Sequence, residues 1–109
     1  MTPDRISALR TMLERGQDSA LLRFSLGNEY VAAGSFEQAV EHLRLAVRMD
    51  RNYSAAWKLL GRALANLEHD KEAIAVYQEG IVIAEQKGDR QAAKEMAVFL
   101  KRLQKKQSG

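Results

Sequence analysis

The chain has two histidines, His42 and His69, and neither stands where imidazole chemistry needs it. A general base or a metal ligand requires convergent partners, such as a second histidine one helical turn away or a nucleophile and a carboxylate at usable spacing. His42 has only Glu41 beside it and His69 falls in a turn, so both read as surface residues. There is no cysteine, which removes disulfides, thiolate metal sites and a cysteine nucleophile and suits a reducing compartment. No Gly-Lys-Ser/Thr occurs, and Gly27 and Gly34 read as packing and turn glycines rather than as a phosphate cradle. The basic run Lys101-Arg102-Leu103-Gln104-Lys105-Lys106 is short, terminal and without aromatic neighbours beyond Phe99. It reads as a solvated helix end, not as a contact for nucleic acid or membrane. The expectation is a protein without catalysis, cofactor or metal.

Recognition by a surface is what remains, and the elements that hold such a surface follow from length and periodicity. A chain of 109 residues makes one domain that hides roughly 65% of its unfolded surface, so its core must be simple. Hydrophobic residues at 46% and charged residues at 28%, with seven glycines and one proline, suit a compact fold and exclude disorder or a collagen-like chain. The net charge of +3 comes from 17 basic and 14 acidic residues spread along the sequence, which favours solubility over a nucleic-acid surface. No apolar run approaches the ~20 residues of a membrane span, and the start Met1-Thr2-Pro3-Asp4-Arg5 lacks the pattern of a secretory signal. A cytoplasmic protein is expected.

A shift of 34 residues lays Leu26-Gly27 on Leu60-Gly61 and Ala39 on Ala73, with Tyr30 on Leu64 and Leu43 on Tyr77. The match recurs in one order: an apolar helical stripe, a glycine, a break, then an alanine with a large side chain four residues later. Residues 20–53 and 54–87 are therefore two repeats, with 1–19 a leading helix and 88–109 a closing helix and basic tail. Each repeat reads as two antiparallel helices. In the first, Leu22, Leu26, Gly27, Tyr30 and Ala33 form one stripe, Gly34-Ser35 breaks it, and Ser35 with Gln38 is a capping box for a helix carrying Ala39, Val40, Leu43, Ala46 and Val47. In the second, Ala56, Trp57, Leu60, Gly61, Ala63, Leu64 and Leu67 precede a turn at Glu68-His69-Asp70, with Asp70 as cap. Ala73, Ile74, Tyr77, Ile81 and Ala84 follow, up to a stop at Gly88 about one turn past the repeat length. Thr2-Pro3 reads as the start of the leading helix, which carries Ile6, Leu9 and Leu13 as far as Gly16. Asp89 caps the closing one, with Ala93, Met96, Ala97, Leu100 and Leu103 facing inward.

These residues resemble the tetratricopeptide repeat, whose pattern of Trp, Leu-Gly and Tyr, then Ala, Phe and a late Pro, is met by Trp57, Leu60-Gly61, Leu64, Ala73 and Tyr77. The first repeat supplies Leu26-Gly27, Tyr30, Gly34, Phe36 and Ala39, with Arg23 in the tryptophan place and Leu43 in the phenylalanine place. Arg51 and Glu85 stand where proline is usual. The resemblance implies an all-α, right-handed superhelical stack of antiparallel helix hairpins, with about six helices. Small residues at Gly27, Gly61, Ala39 and Ala73 let helices cross closely, and Tyr30, Trp57 and Tyr77 fill the gaps, at roughly 1.5 to 3 kcal/mol or more per buried large side chain.

The resemblance also implies a peptide groove along the first helix of each repeat. Its lining would be Leu21, Phe24, Asn28 and Val31, then Ala55, Lys58, Arg62, Ala65 and Asn66, an apolar half and a basic half suited to a partner peptide or helix with an apolar anchor beside acidic residues. Leu21 and Phe24 could instead be covered by the leading helix, and Lys58 and Arg62 could be solvated. The carboxylate clamp of chaperone co-factors is not carried over: Asn28 and Lys58 match, but Phe24, Leu59, Arg62 and Ala93 do not. The expected function is a non-catalytic adaptor, a monomer binding another protein. The alternative is a structural subunit that contacts its own copies through Phe99 and Leu103 or through the leading helix.

Overall fold

Left-handed backbone positions punctuate the chain: Gly16, Gly34 and Gly88 take φ of 82°, 78° and 86°, a region glycine enters at no steric cost. Glu68 stands at φ 61° in the turn equivalent to that of Gly34, where a side chain costs about 1–2 kcal/mol. The computed structural model describes residues 4–108. Among these residues there are six α-helices and no strand: α1 (Arg5–Glu14), α2 (Ala20–Ala32), α3 (Phe36–Met49), α4 (Ser54–Asn66), α5 (Asp70–Lys87) and α6 (Arg90–Ser108). The fold is an all-α helical repeat, drawn out to 44 × 28 × 21 Å.

The caps differ in part from the sequence reading. Thr2 and Pro3 lie outside the described residues; α1 starts after Asp4, whose carboxylate accepts from the Ile6 N–H at 3.1 Å. Ser35 does precede α3, yet its side chain makes no cap bond and the capping box with Gln38 does not form. Its backbone N–H instead donates to the Tyr30 carbonyl at 2.8 Å and closes α2. His69, not Asp70, holds the cap position of α5. Asp70 sits one residue inside, where the helix dipole still favours a carboxylate, and is buried against α6 with Lys106 Nζ at 3.0 Å. α3 ends without proline because Asp50 Oδ1 accepts from the Asn52 N–H at 3.0 Å and the Trp57 indole donates to the Arg51 carbonyl at 2.8 Å. α5 passes Glu85 and stops at Gly88, as the missing proline allows.

The core is built from Leu26, Tyr30, Ala39, Leu43, Trp57, Leu60, Ala73 and Tyr77, all buried, with Gly27 and Gly61 buried beneath them. Three glycines face the tip of a large side chain sixteen residues further on: Gly27 meets Leu43, Gly61 meets Tyr77 and Gly80 meets Met96. A β-carbon on Gly80 would stand 2.7 Å from Met96 Sδ and 2.9 Å from Trp57 Cβ, so this seam admits no side chain. Ala33 and Ala97 are exposed, contrary to the stripes drawn for them: Ala33 is the C-cap of α2, and α6 turns Ala92 inward beside Ala93 in place of Ala97. Ile83 joins the core where α6 packs along α5, while Ile74 and Ile81 stay half-buried.

Candidate partner-binding face

The helices form two rows. α2, α4 and α6 touch in sequence, while α3 packs on α2 and α4 and α5 packs on α4 and α6. No backbone contact joins α3 to α5; long side chains span the gap, Arg44 to Glu72 at 2.6 Å and Arg51 to Glu79. The α2–α4–α6 row carries the residues expected to line a groove, and the structure sorts them. Leu21 is 65% exposed, so α1 does not cover it. Phe24 is half-buried with its ring centroid 4.9 Å from that of Tyr53, which makes it a floor rather than a free anchor. Asn28, Arg62 and Asn66 are exposed, and Val31, Ala55 and Ala65 half-buried.

The basic half of the groove changes most. Lys58 donates to Glu95 Oε1 on α6 at 2.6 Å, and this bond, with a second from Gln91, holds the Glu95 carboxyl below its usual range. Its charge is thus already matched within the chain, contrary to its expected role as a free cation. A second tie locks the same seam: Ser54, the buried first residue of α4, donates to Asp89 Oδ2 at 2.6 Å while Asp89 Oδ1 accepts from the Ala92 N–H. Asp89, the predicted cap of α6, is held below its usual pKa first by Ser54 and then by that N–H.

Between α4 and α6 lies a cleft of about 320 Å³ lined by apolar Leu59, Val98 and Phe99, by Arg62 and Arg102, and by the Lys58–Glu95 ion pair. The guanidinium of Arg102 lies 5.7 Å from the Phe99 ring centroid, and Phe99 stacks on Tyr77 at 6.0 Å. Burial pushes the Tyr77 phenol up to about 12. Arg102 is exposed, as expected of the basic run, and Val98 is exposed as well; that both border this cleft is what the repeat pattern does not announce. The available signal was the spacing of Glu95, Phe99 and Arg102 along one face of a helix. Leu103, expected to contact other copies, is buried in the chain's own core; on this stretch Val98, 49% exposed, is the free apolar side chain.

Arg23, in the tryptophan place of the first repeat, is held by Asp18 at 2.8 Å and lies 3.0 Å from His42 Nδ1. His42 is half-buried and stacked on Tyr30 with centroids 5.5 Å apart, a correction to its reading as a surface residue; His69 is exposed. Among the described residues no group of three or more acidic or histidine side chains could hold a metal ion, and no helix is long and apolar enough to cross a membrane.

The profile of the tetratricopeptide repeat family matches residues 30–97. The TPR repeat-containing protein PA0015 of Pseudomonas aeruginosa is 47% identical over 98 residues, 90% of this chain and 93% of that protein. Among solved structures, protein BPP2914 from Bordetella parapertussis is 40% identical with a TM-score of 0.81, covering 93% of this chain and 88% of that one. The Sgt2 TPR domain from Aspergillus fumigatus is 28% identical with a TM-score of 0.79, covering 94% of this chain and 66% of that one.

Proposed function

The chain belongs to the tetratricopeptide repeat family, and from that premise we propose that it is a non-catalytic adaptor holding a peptide or helix of another protein along the α2–α4–α6 row. One observation supports this most: the row keeps apolar side chains in solvent, Leu21 at 65% and Val98 at 49%, in line with exposed Asn28 and Arg62 that the core does not use. Residues of this kind, set on rigid helices, serve recognition more readily than packing. Two hairpins and an end helix offer under ~1,000 Å² of contact, so the complex is transient and micromolar. The lack of cysteine suits work in the cytoplasm.

The test compares lysate capture by the wild-type protein and by a Leu21→Glu, Arg62→Glu double variant of equal helicity and equal Tm. A partner held by the first and lost by the second is the expected result. Identical capture by both overturns the reading. Capture of the chain's own copies alone favours the structural subunit, with Val98 and the 42% exposed Met12 of α1 as the surfaces to change next.

A further inference from the structure

We infer that the cleft between α4 and α6 is a seat for an acidic segment of a partner protein, its side-chain carboxylates gripped by Arg62 and Arg102 and a neighbouring aliphatic side chain laid on Leu59, Val98 and Phe99. The inference rests on the groove reading above and moves its centre: α6 is half of the binding site rather than a lid on the stack.

Charge leads to it first. α6 carries Arg90, Lys94, Lys101, Arg102, Lys105 and Lys106 against Glu95 alone, whereas the whole chain is only +3. The positive field is therefore concentrated on one helix, and residues before it are slightly acidic in sum. Two cations near the seam are spent internally, Lys58 on Glu95 and Lys106 on Asp70. Arg62 and Arg102 have no carboxylate partner among the described residues, and both stand at the cleft.

Geometry makes the pair a seat. Arg102 is exposed with its guanidinium 5.7 Å from the Phe99 ring centroid, and Phe99 leans on buried Tyr77, a contact that favours the guanidinium's place beside the cleft. Guanidinium groups bind carboxylates through parallel N–H donors, and their planar fork loses little freedom per bond in doing so. About 320 Å³ admits one or two side chains, not a folded surface. The lining also holds Lys58 and Glu95, which bond each other, so the two arginines are the donors left for a ligand's carboxylates. A basic segment would meet two unpaired arginines and be repelled.

The experiment titrates ¹⁵N-labelled full-length protein with a short acetylated and amidated peptide in which each leucine is flanked by glutamates. Matched peptides carry glutamine for glutamate, with the C-terminus amidated in one and free in the other. The glutamate peptide should shift amides of α4 and α6 around Arg62, Val98 and Arg102, and the amidated glutamine peptide should not. Arg62→Gln and Arg102→Gln should each weaken binding about tenfold. Lys94→Gln, an equal loss of charge on the outer side of α6, should change it by less than about twofold. Equal weakening by all three variants, undiminished binding to the arginine variants, or no binding of the glutamate peptide overturns the seat. A glutamine peptide with a free carboxylate that binds as tightly overturns the assignment to side chains. Shifts confined to α2 and indifferent to both arginines would overturn the acidic seat while leaving the groove reading in place, which separates the two failures.

Discussion

α1 and α6 flank the same two hairpins, yet they are joined to the stack in different ways. α1 buries no residue; Ile6, Leu9 and Leu13 are half-buried on α2, with one ion pair at 3.5 Å from Arg5 to Glu29. α6 buries Ala92, Ala93, Met96 and Leu103 and is tied across to α4 and α5 by Asp89, Glu95 and Lys106. The difference lies in the neighbour. α5 presents Gly80, a gap that Met96 enters, repeating the device that joins Gly27 to Leu43 and Gly61 to Tyr77. Interior packing rewards a side chain only where a matching space exists, so a terminal helix becomes part of the stack when its partner leaves one.

The largest test of that contrast removes each helix in turn. A chain stopped before Asp89 loses Met96 from Gly80, Phe99 from Tyr77 and the Asp89 tie to Ser54, leaving a broad apolar face in water. It should show no cooperative thermal transition by circular dichroism. A chain begun at Gln17 loses only half-buried contacts and should keep a cooperative transition with Tm lowered by about 5–10 °C. Equal losses from both deletions would erase the distinction between the ends.

Point substitutions sharpen the same contrast at smaller scale. Met96→Ala empties a fully buried site and should cost about 3 kcal/mol in urea unfolding, within the usual span for such truncations. Leu9→Ala, on the face of α1 that is only half covered, should cost less than about 1 kcal/mol. A Leu9 variant as damaging as the Met96 variant would mean that α1 carries core-like weight.

Much of this was legible in the residues. The shift of 34 placed the pairs Gly27 with Gly61 and Ala39 with Ala73, and Gly88 marked the stop of α5, because close helix crossings and left-handed turns each demand a small residue. The candidate site was less legible, and one cause accounts for most of it. α5 runs past the repeat length, so α6 meets α4 out of the repeat register: Lys58 bonds Glu95, 37 residues on, where a shift of 34 points to Ala92. Lys58, expected as a free cation, is matched by Glu95, whereas Arg102 is exposed as expected and borders the cleft. Phe24 was placed on the right row, but its contact with Tyr53 depends on the linker path, which no periodicity encodes. The Arg23–His42 contact joins two helices at positions that do not recur in the second repeat, so nothing in the pattern announced it.

That contact supplies the smallest and most local test. A guanidinium only donates, so His42 Nδ1 accepts from Arg23 and the imidazole is neutral with its proton on Nε2. Burial first, and then the charges of Arg23 and Arg10, lower its pKa below 6.5, against the opposing pull of Glu41 and Asp18; Tyr30 stacked on the ring is uncharged. The unfolded chain therefore binds the proton more readily than the folded one. The stabilisation is whole above about 6.5 and is lost as pH falls from there through the folded value. Asp18, Asp89 and Glu95 have depressed carboxyls, whose contributions are lost only at lower pH, below their ordinary 3.8, 3.8 and 4.5. Between pH 7 and pH 5 the N-terminal hairpin should loosen while the α4–α6 seam holds. Hydrogen-exchange protection factors, corrected for intrinsic rates, should fall in α2 and α3 and stay level in α5 and α6, and His42→Gln should remove the difference. A uniform fall, or one that persists in the variant, would mean that His42 does not set the acid response of this end.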